Sequence, residues 1–210
     1  MAGFLDTGRD YFTLIGGGKA DTIRGGIGND RIFGDSDLNG ATTEFDGDDK
    51  IEAGAGNDTV FGNGGNDTIK GDEGDDLLSG GDGDDDIDGG DGDDTMFGGA
   101  GDDTLDGGDG ANFVDGGEGN DLIVVGTSGR YEGGEGDDTY VVQNAESIAL
   151  IGDSLGENRV LLVAGDGTGD VSELRLATVY VRTGTAQSQY GWQVGQSQSD
   201  VPGGQKQIAI

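Results

Sequence analysis

The chain has 210 residues, 48 of them glycine, and 43 acidic against 11 basic side chains give a formal net charge of −32. Such an excess of negative charge makes nucleic acid and anionic membranes poor partners and cations good ones. Cysteine and histidine are both missing from the composition, which removes disulfides, thiol chemistry and the commonest general base and zinc ligand.

Taken in chain order, the opening MAGFLDTGRDYF has neither a basic n-region nor a long apolar h-region, so it is not read as a Sec signal peptide. Residues 1–15 are expected to form an N-terminal cap. Within it Thr13-Leu14-Ile15 takes strand positions, and Phe4, Tyr11 and Phe12 cover the end of a core. A repeat of nine residues then starts, with units at 16–24 (GGGKADTIR) and 25–33 (GGIGNDRIF). The next unit opens at Gly34-Asp35 and closes with Gly47-Asp48-Asp49-Lys50-Ile51-Glu52, which places a loop insertion near 35–46. Eight regular units follow from 53 to 124, beginning AGAGNDTVF, GNGGNDTIK, GDEGDDLLS. Residues 125–132 (VGTSGRYE) are one short and lack the acid, and 133–141 (GGEGDDTYV) is regular again. A short fixed period of this kind dictates the architecture of everything it covers.

Beyond Val142 the Asp-Gly pairs thin out. Arg159–Ala164 and Leu174–Val181 read as β-strands, and 142–183 as a C-terminal β capping segment. Residues 184–210 read as terminal strands or as an export signal. No apolar run approaches the roughly 18 residues of a membrane-spanning helix.

Each unit has glycine at positions one, two and four, an acid at position six and one apolar residue at position eight. This GGxGxDxUx pattern resembles the RTX (repeats-in-toxin, haemolysin-type) calcium-binding nonapeptide family. The glycines allow the positive φ angles of a tight turn. The x-U-x tail reads as a three-residue strand with position eight on one side and positions seven and nine on the other. Two units make one coil, so the expected fold is all-β: a parallel β-roll of two short-strand sheets over 16–141. Its inward set is Ile23, Ile32, Ile51, Val60, Ile69, Leu78, Ile87, Met96, Leu105, Val114, Ile123, Tyr131 and Tyr140.

One apolar residue in nine is a thin core, and loops on one edge recur at the inter-strand spacing of about 4.8 Å. Carboxylates that close repel by about 1–3 kcal/mol per pair at effective dielectrics of 20–80. A hard divalent ion relieves this, and an all-oxygen donor set disfavours zinc and copper.

The resemblance implies calcium between one loop and the second loop after it, roughly ten ions in all, each held by position-six carboxylates and glycine carbonyls. The carboxylates carried over are Asp21, Asp30, Asp49, Asp58, Asp67, Asp76, Asp85, Asp94, Asp103, Asp121 and Asp138. Asn112 stands in this column as a departure that weakens its sites, the 125–132 unit is expected to lose its site, and Lys19 replaces a position-four glycine in the first unit. The glycines carried over are Gly26, Gly28, Gly47, Gly54, Gly56, Gly65, Gly74, Gly81, Gly83, Gly90, Gly92, Gly99, Gly101, Gly108, Gly110, Gly117, Gly119, Gly134 and Gly136.

Outward position nine reads Arg24, Glu52, Lys70, Asp88, Asp106, Val124 in one sheet. In the other, Phe33, Phe61 and Phe97 suggest a partner strip that is covered in the assembled protein, with Leu77 and Phe113 nearby. Asp84-x-Asp86-x-Asp88-Gly89 mimics the start of an EF-hand, but its twelfth position is Thr95. No catalytic constellation is left over, so no enzyme activity is expected.

The resemblance further implies a protein that leaves the cell by type I secretion and folds on meeting calcium outside, in the medium or at the cell surface. Two functions fit: self-association into a filament, surface layer or matrix, or a folding and export module of a larger adhesin or exoenzyme. Partners are then calcium and another copy or extracellular protein, without membrane insertion; polysaccharide binding through Tyr190 and Trp192 or the aromatic strip is a third reading.

Overall fold

The structure, a computed structural model, describes residues 11–35, 47–142, 148–152, 156 and 158–162. The cap before Tyr11, the insertion after Asp35, most of 142–183 and all of 184–210 lie outside the described residues.

Sixteen strands follow one another along the described chain. They are β1 (Thr13–Ile15), β2 (Thr22–Ile27), β3 (Arg31–Phe33), β4 (Lys50–Ala55), β5 (Thr59–Gly64), β6 (Thr68–Glu73), β7 (Leu77–Asp82) and β8 (Asp86–Asp91). The second half comprises β9 (Thr95–Ala100), β10 (Thr104–Asp106), β11 (Ala111–Glu118), β12 (Leu122–Val125), β13 (Ser128–Glu135), β14 (Thr139–Val142), β15 (Ile148–Ile151) and β16 (Arg159–Leu162). Odd strands make one eight-stranded sheet and even strands the other, each pairing in parallel with the strand two before and two after it. The chain is therefore an all-β parallel roll, one coil per pair of units.

Register follows the nine-residue period. Ile32 lies beside Val60, Leu78 beside Met96, and Ile51 beside Ile69. A slip of one residue would turn every one of these outward, so the apolar column locks the ladder. Every predicted inward residue from Ile23 to Tyr140 is buried, joined by Ala53, Val125, Val142 and Ile151.

Most strands run longer than the expected three residues. In β6, for example, pairing continues past Lys70 through Asp72 and Glu73. The main chain of positions one to three lies parallel to its neighbour just as x-U-x does, so the ladder turns the corner with it. The sheets also run on past Val141, with Tyr131 beside Ile151 and Tyr140 beside Val160.

The outer faces differ as the ninth-position pattern suggests. On the even sheet Arg24 and Lys50 reach Glu52 at 2.9 and 3.1 Å, and Lys70 lies 3.8 Å from Asp88. These pairs face water and contribute little each. On the odd sheet the aromatic strip divides in two. Phe33 and Phe61 stack at 5.4 Å beneath Arg31, whereas Phe97 meets Phe113 edge-on at 5.9 Å beside Arg130. Ser79 interrupts the row. Phe33 and Phe61 are half-buried, and Phe97 remains 37% exposed.

Candidate metal centre

The corners of the coil gather the sixth-position side chains into two columns. Along one edge run Asp30, Asp58, Asp76, Asp94 and Asn112. Along the other run Asp21, Asp49, Asp67, Asp85, Asp103, Asp121 and Asp138. From Asp30 and Asp49 onward each carboxylate accepts, through Oδ1, the main-chain N–H of the sixth-position residue one coil earlier, as in Asp58 to Asp76 at 2.7 Å and Asp67 to Asp85 at 2.7 Å. The first column ends where Asp94 N–H donates to Asn112 Oδ1, the second where Asp138 N–H donates to Asn158 Oδ1. Asn158 lies outside any repeat readable in the sequence. Asp21, beside Lys19, is half-buried at the open end of its column, while the other members are buried.

The second carboxylate oxygen is the informative one. Oδ2 of Asp30, Asp49, Asp58, Asp67, Asp76, Asp85, Asp94, Asp103 and Asp121 is buried without a hydrogen-bond partner. A buried polar atom left in this way is costly, and a buried unpaired charge more so. Burial, reinforced by neighbouring carboxylates, pushes the carboxyls of Asp67, Asp76 and Asp103 up to about 7 and that of Asp58 to about 6, against the lowering effect of the N–H each accepts.

Glycine serves this corner in two ways. At positions two and four the φ angles of Gly54 to Gly136 run from 66° to 143°, a region in which side chains are strained, although Asn63 and Asp72 adopt it too. First-position glycines do not lie in that region, which corrects the expectation that all three serve the turn. They are required for space. A Cβ at Gly71 would overlap Asp76 Oδ2 and the Gly89 carbonyl, and one at Gly98 would overlap Asp103 Oδ2 and the Gly116 carbonyl. Gly98→Val is accordingly expected to destabilise the wound protein by about 1–3 kcal/mol through overpacking, read as a lower Tm in excess calcium.

Fourth-position carbonyls face along the edge toward the next coil: Gly56 O lies against Gly74, and Gly74 O against Gly92. Among the described residues none donates a hydrogen bond to the carbonyl of Gly56, Gly74 or Gly83. Each edge thus presents buried carboxylate oxygens and free carbonyls, a hard donor set that fits calcium. No three carboxylates of the described residues converge closely enough to hold an ion by themselves. Carbonyls and water would have to complete the shell.

Position five was passed over in the sequence, yet it builds a second ladder. Asn57 N–H donates to Asn29 Oδ1 at 3.0 Å, Asn66 N–H to Asp48 at 2.8 Å, Asp93 N–H to Asp75 at 3.0 Å and Asp102 N–H to Asp84 at 2.9 Å. Its donors point toward the start of the chain, opposite to those of position six. The signal was the steady Asn/Asp occupancy of this position.

Parallel coils whose edges carry stacked carboxylates and carbonyls define a parallel β-roll with cation-binding edges. The RTX calcium-binding nonapeptide repeat (four copies) matches the chain at residues 13–39, 45–78, 61–96 and 88–123, just over half its length, and the chain belongs to that family, whose repeats bind calcium. No curated protein matches it significantly. Among the described residues no helix is long and apolar enough to cross a membrane.

Proposed function

We propose that the chain is a secreted structural protein that winds when calcium fills its two edges outside the cell, and that wound molecules then associate. The orphaned Oδ2 atoms of the sixth-position columns carry this reading. Those carboxylates and the second- and fourth-position glycine carbonyls are its ligands, and it assigns the chain no catalytic step. Calcium sites of the extracellular kind bind at about 10⁻⁴–10⁻³ M, far above cytosolic calcium, so an unwound chain is available for export. Association is supported by apolar ground on both outer faces: Leu77 and Phe97 on the odd sheet, Leu122 and Leu161 on the even.

Circular dichroism with light scattering across a calcium titration tests both parts. Strand signal and particle mass are expected to rise together. A protein that winds yet stays a monomer would instead favour a folding and export module of a larger adhesin or exoenzyme. Leu77→Ser combined with Phe97→Ser is expected to leave winding unchanged and bring the particle mass down toward the monomer, read by sedimentation.

A further inference from the structure

The coil that joins residues 107–115 to 125–132 breaks the pattern of its edge. Register sets Gly129 beside Asn112, so the carboxylate column has no successor there. In regular coils a Cβ on the first-position glycine would strike an orphaned carboxylate oxygen. At Gly107 it would lie 2.9 Å from the Tyr131 hydroxyl and 3.2 Å from Asn112 Nδ2. Tyr131, fully buried, accepts from Gly126 N–H at 3.0 Å and donates to the Ser128 carbonyl at 3.1 Å, and it also bonds Asn112. Asn112 Nδ2 in turn donates to the Gly107 carbonyl.

The fourth-position carbonyl is occupied as well. Gly110 O accepts from Ser128 Oγ at 2.9 Å, Thr127 Oγ1 at 3.1 Å and Ser128 N–H at 3.2 Å, whereas Gly56, Gly74 and Gly83 accept nothing from described residues. Asn112, the Tyr131 hydroxyl and the Gly107 and Gly110 carbonyls thus already have neutral partners, and neither Asn112 nor Tyr131 carries an orphaned buried atom.

We infer that Tyr131 closes this edge to calcium: its hydroxyl fills the place of the missing carboxylate oxygen and, with Asn112, Thr127 and Ser128, holds the coil by hydrogen bonds alone. The two edges therefore carry unequal calcium columns, one stopping at Asp94 and the other running on to Asp138. This rests on calcium being the ion of the columns. Tyr131 is a specificity-determining residue, since it sets where along the roll the ion is refused.

Anomalous-difference density from crystals of the full chain grown in calcium reads this directly. Peaks are expected between Asp58 and Asp76 and between Asp103 and Asp121, with none between Asn112 and Tyr131; a peak there overturns the inference. Density lacking calcium on both edges would strike the calcium reading itself. Equilibrium dialysis of two variants gives a second measure. Asn112→Asp alone is expected to bind as many calcium ions as the parent, because the tyrosine hydroxyl satisfies the new carboxylate. Asn112→Asp with Tyr131→Phe is expected to bind one more. A gain in the single variant, or none in the double, overturns the role given to Tyr131.

Discussion

Excess chelator at neutral pH is expected to abolish the strand signal of the wound protein, and returning calcium to restore it. The wound state holds the sixth-position carboxylates from Asp30 to Asp121 buried, each with an unpartnered oxygen. Even at about 1 kcal/mol for each orphaned atom, their sum consumes most of the roughly 5–15 kcal/mol by which ordinary domains are stable. Repulsion between stacked neighbours adds about 1–3 kcal/mol per pair, and the single-file core has no reserve to offset it. Bound calcium supplies positive charge and accepts oxygens at flexible geometry. Magnesium demands near-ideal octahedral geometry and gives up its water reluctantly, so at equal concentration it should restore much less. Far-UV circular dichroism reads the result; a strand signal unchanged in chelator at pH 7.5 would show that the edges need no cation.

The period made the frame legible. Once position eight is the one place in nine that is apolar in every unit, parallel stacking with Ile32 beside Val60 and Ile51 beside Ile69 is the arrangement that buries it. What escaped depends on atoms that face the next coil. Position five carries exposed side chains, yet their oxygens accept main-chain N–H groups from 17 or more residues away. The first-position glycines passed as turn residues, because the carboxylate that excludes a side chain there comes into view only when the corner is closed. Unit 125–132 read as a gap. A missing acid can be seen in a string of letters, but a phenol reaching back from position eight to fill its place cannot. Asn158 was invisible for a related reason: it ends a column that the sequence shows no sign of continuing past Asp138.

Acid should do part of the work of calcium. In the wound protein Asp67, Asp76 and Asp103 titrate at about 7 and Asp49, Asp58, Asp85 and Asp121 at about 6, against an ordinary 3.8, with burial the leading cause. The unwound chain, with its carboxyls in water, keeps the lower value. Between about pH 4 and 7 the wound state therefore binds more protons than the unwound one, so its metal-free stability falls as pH rises through that window and recovers as pH falls. In chelator, strand signal and protease resistance are expected to be low at pH 8 and to return progressively toward pH 4.5. The same protons compete for the oxygens that calcium needs, so the calcium midpoint should move to higher concentration as pH drops below about 7. A chelated protein that loses strand signal as it is acidified, or a calcium midpoint indifferent to pH between 5 and 8, would mean that the buried carboxylates are not what keeps the roll apart.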